Sequence, residues 1–256
     1  MARATEEACE IWDIDAAQLK VTIPIKTQPI AAPFVFSPDG RRQAIADRDG
    51  RLALYEIATE QTTFLPALHS RIWSLEWSPQ MDRLASCTAQ TGDVTIQDVS
   101  TGAVLHTLNH PREVWSVAWS PTGELLATGC GDFNVYVWDA VTGRLIHTLR
   151  GHRNVPAGVR FDAAGSVLAS TAWDGTTRFW DPRSGDEILS VLVNVKKFAA
   201  HGSKMAYVTG DGGLSIGLAE LVPSQAFSTI VADDSDGRGG SQCVASDGNG
   251  VFRRVG

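Results

Sequence analysis

The sequence is short of basic residues, cysteines and long apolar runs, and each shortage excludes a class of protein. Twenty-two Lys and Arg against 29 Asp and Glu leave a formal charge of -7, the wrong sign for a chain that wraps nucleic acid without sequence preference. The longest apolar stretch, around Ile188 to Val195, is interrupted by Ser190 and Asn194 and falls far short of a membrane span. We therefore expect no nucleic-acid partner and no membrane partner.

The four cysteines, at positions 9, 87, 130 and 243, form neither a CxxC pair nor a secretory disulfide framework, so reduced thiols are expected. The opening residues MARATEEACEIWDID lack a basic segment followed by an apolar one. Both features predict a cytoplasmic protein. The alternative that the chain was excised from a longer protein stays open.

The chain nevertheless has the material for a sizeable core. Of its 256 residues 43% are hydrophobic, which excludes disorder as the main state. The 24 glycines and 8 tryptophans are generous for a helical enzyme, and this composition favours a fold rich in turns.

Two markers recur along the chain with nearly the same period. Tetrapeptides of the Ser-Pro-x-Gly type or a variant begin at positions 37, 78, 120 and 162, in steps of 41, 42 and 42 residues. Aromatic-acid pairs or their variants run in parallel, at Trp12-Asp13, Tyr55-Glu56, Gln97-Asp98, Trp138-Asp139 and Trp180-Asp181. Two registers with one period indicate a structural repeat.

Each period contains four short segments of strand type, as in residues 114–119, 125–128, 134–138 and 144–149. Pro and Gly in the breaks between them suit tight turns. A single sheet of this size cannot cover both of its apolar faces, so antiparallel units of about 40 residues are expected to stack radially. The predicted fold is all-β: a β-propeller of four-stranded antiparallel blades, in one domain over residues 1–256.

With these markers the chain resembles the WD-repeat β-propeller family, and we expect a bacterial-type WD-repeat protein. The resemblance implies a buried hydrogen-bonded tetrad of His, Ser or Thr, Asp and Trp in each complete blade. In both of the strongest repeats the His-to-Asp spacing is 22 residues and the Asp-to-Trp spacing is 6. The two predicted tetrads are His110, Thr128, Asp132 and Trp138, and His152, Ser170, Asp174 and Trp180.

The other repeats depart from this pattern. The repeat that follows His69 keeps Ser86 but has Gln97 in place of Trp, and the one before it has Ile45 where the hydroxyl residue should be. We expect their polar networks to be incomplete.

The number of blades depends on the two chain ends. The N-terminus is expected to supply a third strand, Glu10 to Ile14, and a fourth, Leu19 to Ile25, while Thr229 to Val255 are expected to supply first and second strands and could reach a third. Six blades with a closing blade shared between the termini fit the length, and sharing would remove exposed strand edges. Seven blades or an incomplete ring are the alternatives.

Catalysis, metal and cofactor binding are not predicted. Ser170, His152 and Asp174 have the composition of a hydrolase triad, but they recur one period earlier as Thr128, His110 and Asp132, which favours a structural role. The six histidines occupy equivalent positions on different blades and should not converge on one metal. Cys87, Cys130 and Cys243 fall in second strands, where they are expected to fill the core.

One face of the ring is predicted to bind partners. In the family, the loop leading into each first strand and the turn between the second and third strands share one face around the central channel. Arg and Trp, which are enriched at binding hot spots, fall there. The candidate partner-binding residues are Arg48, Arg71, Trp73, Arg112, Trp115, Arg153 and Trp173. An acidic or phosphorylated peptide would suit the arginines.

The alternative is that Trp73 and Trp115 pack between blades and that the arginines are solvated. The aromatic residues before the tetrapeptides, Phe36, Trp77, Trp119 and Phe161, are expected in the core between blades.

The predicted function is a non-enzymatic scaffold that binds other proteins through this face. Two alternatives stay open: a sensory or docking part of a larger signalling protein, and a propeller enzyme or small-ligand binder that uses the central channel. The first strands offer mostly Ala, Val, Trp, Ser and Phe, which favours the scaffold.

Overall fold

The chain folds into antiparallel sheets that follow one another along the sequence. The computed structural model describes residues 2–4, 8–13, 17–23, 34–47, 49–68, 71–88, 92–192, 195–201, 204–209, 215–220, 230–233, 244–246 and 252–254. Within these ranges the regular elements are all strands, and no helix that could cross a membrane occurs among them.

Three of the sheets lie in the N-terminal half of the chain. Sheet 1 has three strands, β1 Ala2–Ala4, β2 Cys9–Asp13 and β3 Gln18–Ile23. Sheet 2 has four strands, β4 Phe34–Phe36, β5 Arg42–Ala46, β6 Leu52–Glu56 and β7 Gln61–Phe64. Sheet 3 also has four, β8 Ile72–Trp77, β9 Arg83–Thr88, β10 Asp93–Asp98 and β11 Val104–Asn109.

Four further sheets follow. Sheet 4 contains β12 Val114–Trp119, β13 Leu125–Cys130, β14 Val135–Asp139 and β15 Leu145–Leu149. Sheet 5 contains β16 Pro156–Phe161, β17 Leu168–Ala172, β18 Thr177–Trp180 and β19 Glu187–Val191. Sheet 6 contains β20 Val195–His201, β21 Lys204–Thr209, β22 Ser215–Glu220 and β23 Ile230–Asp233. Sheet 7 contains β24 Val244–Ser246 and β25 Phe252–Arg254.

The first strand of each central sheet is the inner one. Strands β8, β12 and β16 lie beside one another, and β12 is mostly buried, whereas the first residues of the fourth strand β15 are exposed. Sheets stacked in this order around inner strands are the blades of a propeller. The predicted all-β propeller of four-stranded antiparallel blades is confirmed.

The tetrapeptide marker forms the turn between the first and second strands. In sheet 4 the Gly123 N-H donates to the Ser120 carbonyl at 2.9 Å, and Gly123 has φ +72°, a conformation that glycine adopts without steric cost. In sheet 3 Met81 occupies the same position with φ +62°. The hydrogen-bonded turn therefore survives the loss of its glycine.

Aromatic residues join neighbouring sheets. The Trp77 indole donates to the Val35 carbonyl at 3.2 Å, and the Trp119 indole donates to the Glu76 carbonyl at 3.3 Å. Trp77, Trp119 and Phe161 are buried, as expected for residues between blades. The expectation is wrong for Phe36, which is 38% exposed, because the described part of sheet 1 provides no first strand to cover it.

The chain ends differ in part from the prediction. Strand β1 pairs with β2, so the N-terminus supplies a second-strand position as well. Strand β23 pairs with β22 and completes sheet 6, so the first strand expected from Thr229 onward is instead a fourth strand. Among the described strands, none of sheet 1 pairs with sheet 7. The shared closing blade, and with it the number of blades, stays a prediction.

Candidate interaction face

A complete polar tetrad links the strands of sheet 5. His152 Nε2 lies 2.7 Å from Ser170 Oγ, and the Trp180 indole N-H donates to the same oxygen at 2.8 Å. His152 Nδ1 lies 3.1 Å from Asp174 Oδ2. The structure thus brings together all four predicted residues.

The protons of this tetrad can be assigned in series. The Asp174 carboxylate can only accept, so His152 Nδ1-H donates to it; the neutral imidazole then accepts at Nε2 from the Ser170 hydroxyl, whose oxygen accepts from Trp180. Burial lowers the pKa of His152, although Asp174 opposes the shift. Burial acts to raise the pKa of Asp174, but hydrogen bonds from Arg153 and Thr176 outweigh it and bring the pKa to about 2. A neutral imidazole and an ionised carboxylate complete the chain.

In sheet 4 the structure brings together three of the four residues. His110 Nε2 lies 2.7 Å from Thr128 Oγ1, which accepts from the Trp138 indole at 3.2 Å. The other imidazole nitrogen, Nδ1, lies 3.0 Å from the carbonyl oxygens of both Gly92 and Leu108. It therefore finds backbone partners where its counterpart His152 finds an aspartate.

Asp132, the fourth predicted member, has other partners. Its Oδ2 accepts from the Tyr136 hydroxyl at 2.6 Å and from the Asn134 amide at 2.8 Å, and Oδ1 accepts from the Asn134 backbone N-H. The expected His110–Asp132 bond is thus replaced. At the equivalent positions of sheet 5, Thr176 donates to Asp174 Oδ1 and Arg178 pairs with Glu187, which leaves Asp174 Oδ2 for His152.

The serine, histidine and aspartate of sheet 5 are hydrogen-bonded in the order of a hydrolase triad, but the hydroxyl is not accessible to a substrate. The hydroxyl-bearing residues Ser170 and Thr128 are fully buried, and each accepts a tryptophan N-H while it contacts a histidine. Such hydroxyls have no open side for a substrate. The arrangement fits a structural role, since each buried polar atom needs a partner.

Sheets 2 and 3 have different buried polar groups. In sheet 3 Ser86 Oγ lies 2.8 Å from Thr95 Oγ1, and the buried Gln97 donates to the Gly102 carbonyl at 3.3 Å. Among the described residues, the Gln97 carbonyl oxygen and the buried side chains of Gln43 and Tyr55 in sheet 2 have no hydrogen-bond partner. His69 lies outside the described residues.

Three tryptophans from three sheets form one cluster. The rings of Trp73 and Trp115 are stacked with centroids 5.4 Å apart, and Trp115 meets Trp173 edge-on at 4.9 Å. The Arg71 guanidinium lies over Trp73 at 4.5 Å. Trp173 remains 56% exposed, so the cluster opens to solvent.

A bulge in the first strand accompanies each of the inner tryptophans. The pairing between first and second strands shifts register between Ile72 and Ser74, and again between Val114 and Ser116. Trp73 and Trp115 are the extra residues. Bulges re-aim side chains, which accounts for two neighbouring first strands presenting their tryptophans to each other.

Arg71 contacts this cluster, and two further candidate arginines lie in the loops that lead into strands β12 and β16. Arg112 and Arg153 are exposed, and the described part of the chain shows no ion pair for either of them or for Arg71. Arg48 lies outside the described residues. We call the remaining candidates the loop-face patch: Arg71, Trp73, Arg112, Trp115, Arg153 and Trp173.

Two residues of interest escaped the sequence analysis. Phe133, in the turn between the second and third strands of sheet 4, is 42% exposed with φ +74°; the replacement of Asp-Gly by Asp-Phe in that turn was the available signal. Glu76, on an inner strand, accepts from the Trp119 backbone N-H at 3.1 Å. Burial raises its pKa to about 7, against the effects of Trp119 and Arg160.

Within the described ranges no three His, Cys, Asp or Glu side chains are grouped to hold a metal. Cys9, Cys87 and Cys130 are free and buried. Burial raises the pKa of Cys87 and of Cys130 to about 12, as for unreactive thiols. Cys243 lies outside the described residues.

Family comparisons match the centre of the chain. Residues 75–160 match the anaphase-promoting complex subunit 4 WD40 domain, and residues 143–181 match the WD domain, G-beta repeat. Among solved structures, a chain of the mitotic checkpoint complex covers 99% of this chain and 85% of its own length with a TM-score of 0.71 at 20% identity. The computationally designed Ika8 protein has a TM-score of 0.70 at 20% identity and covers 98% of this chain and 78% of its own length.

Curated relatives are similar over part of their length. A periodic tryptophan protein 2 homolog of Caenorhabditis elegans is 27% identical over 69% of this chain and 20% of its own. U3 small nucleolar RNA-associated protein 21 of Saccharomyces cerevisiae is 25% identical over 82% of this chain and 23% of its own. A DDB1- and CUL4-associated factor 11 homolog of Caenorhabditis briggsae is 31% identical over 44% of this chain and 20% of its own length.

The aligned part amounts to about a fifth of each of these relatives. All three are eukaryotic, so the comparisons do not support the bacterial-type expectation. The family matches, the relatives and the fold together support the WD40-repeat family for this chain.

Proposed function

We propose that the protein is a non-enzymatic scaffold that binds other proteins through the loop-face patch. The observation that carries the proposal is the cluster of Trp73, Trp115 and Trp173, which joins three sheets and still opens to solvent. Large aromatic surfaces with neighbouring arginines are typical of binding hot spots. The buried polar networks of sheets 4 and 5 hold the blades that carry this cluster, so little ordering would be needed on binding.

The charges on this face favour an acidic or phosphorylated peptide. Asp132 and Asp174 have their carboxylates committed to internal hydrogen bonds. Both carboxylates keep their charge, but their hydrogen bonds leave Arg71, Arg112 and Arg153 as the charged side chains of the loop-face patch that can bind a partner, although the whole chain carries -7. Arginine pairs with carboxylates and phosphates through strong charge-assisted hydrogen bonds.

The test uses labelled synthetic peptides rich in Glu and Asp, in phosphoserine, or in Lys. Arg112→Glu with Arg153→Glu should weaken binding of the acidic or the phosphorylated peptide by about ten-fold or more, a loss of ~1.4 kcal/mol. Fluorescence anisotropy measures the affinities. Arg41→Glu with Arg144→Glu is the matched control, because these exposed residues lie in turns at the opposite end of the strands and change the net charge equally. Equal losses in both variants, or none in the first, would contradict the proposal.

A second candidate is that the chain is the docking part of a larger signalling protein. It is favoured by the coverage of only about a fifth of each relative. Use of the central channel by an enzyme or a small-ligand binder has less support, since the inner-strand Glu76 is occupied by the Trp119 backbone.

The remaining proposals concern compartment and partner class. The free, buried thiols of Cys9, Cys87 and Cys130 favour a reducing compartment such as the cytoplasm. The yeast relative is named for association with a small nucleolar RNA, but the charge of this chain favours protein partners. The absence of nucleic-acid and membrane partners stays a prediction.

A further inference from the structure

Phe133 occupies a backbone position that the equivalent turns give to glycine. The N-H groups of Gly50, Phe133 and Gly175 each donate to the carbonyl three residues earlier, at 3.0 to 3.3 Å. Their φ angles are +79°, +74° and +81°. A bulky side chain in this left-handed region is strained, whereas glycine is not. The turn would therefore be more stable with glycine at position 133.

The same turn is held by a network that sheet 5 uses differently. Asp132 binds Asn134, which directly precedes strand β14, and Tyr136, which lies within that strand. Asp174 of sheet 5 instead binds His152. These bonds anchor both sides of Phe133 in the chain. The strained side chain is consequently displayed from a fixed turn.

Burial offsets only part of this strain, because Phe133 keeps 42% of its surface exposed. Strain that persists at an exposed residue points to a function. The turn belongs to the same face as Trp173, since both lie between second and third strands.

We propose that Phe133 is an apolar anchor for the partner and that the loop face selects an acidic segment carrying an apolar side chain. This inference rests on the proposed function. The complementarity has two parts: Arg112 and Arg153, which have no ion pair among the described residues, would bind the acids, while Phe133 would contact the apolar side chain. An aromatic anchor fixed before binding loses little entropy when it binds.

The test compares two labelled peptides, EDEDLEDEDE and EDEDSEDEDE, on the full chain. The wild type should bind the leucine peptide more tightly. Phe133→Gly should weaken binding of the leucine peptide by about ten-fold, leave the serine peptide unchanged and raise the urea midpoint of unfolding. Phe133→Asn should also lose the leucine preference, because Asn tolerates the left-handed region but is polar, while Phe133→Leu should keep it. Val141→Gly, an exposed apolar residue in a turn at the other end of the strands, is the control and should change neither affinity.

The outcomes separate this inference from the proposed function. If the wild type binds both peptides equally, or if Phe133→Gly keeps the leucine preference, Phe133 is not the anchor, and the arginine variants still test the face. If the wild type binds neither acidic peptide, both the anchor and the acidic partner are wrong. A lower urea midpoint for Phe133→Gly would also overturn the argument, since the side chain would then serve the fold.

Discussion

At the scale of single residues, the serine of the sheet 5 tetrad has the largest structural role. Ser170 Oγ is the common contact of His152 and Trp180, and all three side chains are buried. One hydroxyl therefore satisfies two other buried groups from different parts of the blade. A buried donor or acceptor without a partner costs about 1 to 3 kcal/mol.

Ser170→Ala should consequently lower the free energy of unfolding by roughly 2 to 4 kcal/mol, because it leaves the Trp180 N-H and His152 Nε2 without partners. Urea unfolding followed by tryptophan fluorescence measures the change. Ser184→Ala, at an exposed turn of the same sheet, should stay within about 0.5 kcal/mol of the wild type. Similar midpoints for Ser170→Ala and the wild type would show that the tetrad does not stabilise the blade.

The sequence predicted which residues lie close together better than it predicted their hydrogen-bond partners. The resemblance to the family was sufficient to place His110, Thr128 and Trp138 together, and the structure shows all three in contact. The resemblance did not predict the partner of Asp132 correctly, because the hydroxyl of Tyr136 and the amide of Asn134 compete for the same carboxylate. Such competition depends on side chains that the repeat does not fix.

At the scale of elements, inner strands of neighbouring sheets are joined by both aromatic and carboxylate side chains. Glu76 of β8 accepts from the backbone N-H of Trp119 in β12, and Arg160 of β16 is the charged residue that faces it. Burial raises the pKa of Glu76 from 4.5 to about 7. The contact is therefore sensitive to pH.

The direction in which the free energy of unfolding changes with pH follows from proton linkage. Between pH 4.5 and about 7, Glu76 is protonated in the folded state and ionised in the unfolded state. The folded state then binds the extra proton, so the free energy of unfolding falls as the pH rises. The contribution of Glu76 is fully present below pH 4.5 and is lost as the pH rises through about 7. Glu76→Gln keeps an oxygen for Trp119 and removes the ionisation.

The variant should therefore have a higher urea midpoint than the wild type at pH 8 and nearly the same midpoint at pH 4.5. Glu124→Gln, on an exposed turn of sheet 4, serves as the control and should show no such pH dependence. A constant difference between Glu76→Gln and the wild type across this range would indicate that Glu76 ionises normally in the folded protein.

At the scale of the whole molecule, the sequence predicted the repeat well and the ends poorly. The central sheets match because each follows the same spacing of turns. The terminal sheets depend on whether strands from the two ends of the chain pair with each other. The repeat spacing gives no information on pairing between such distant segments. The exposed Phe34 and Phe36 of sheet 2 mark the side on which sheet 1 has no described first strand.

Closure of the ring by the C-terminal segment remains our prediction, and backbone exchange can test it. If residues 243–256 pair with β1, removing them should free one edge of Ala2–Ala4. Hydrogen–deuterium exchange of β1 should then accelerate and the urea midpoint should fall, because unpaired edge amides exchange readily. Exchange in β12, which lies between sheets 3 and 5, is the internal reference. Unchanged exchange in β1 after truncation would favour an open ring, which a neighbouring repeat or a partner strand would have to close.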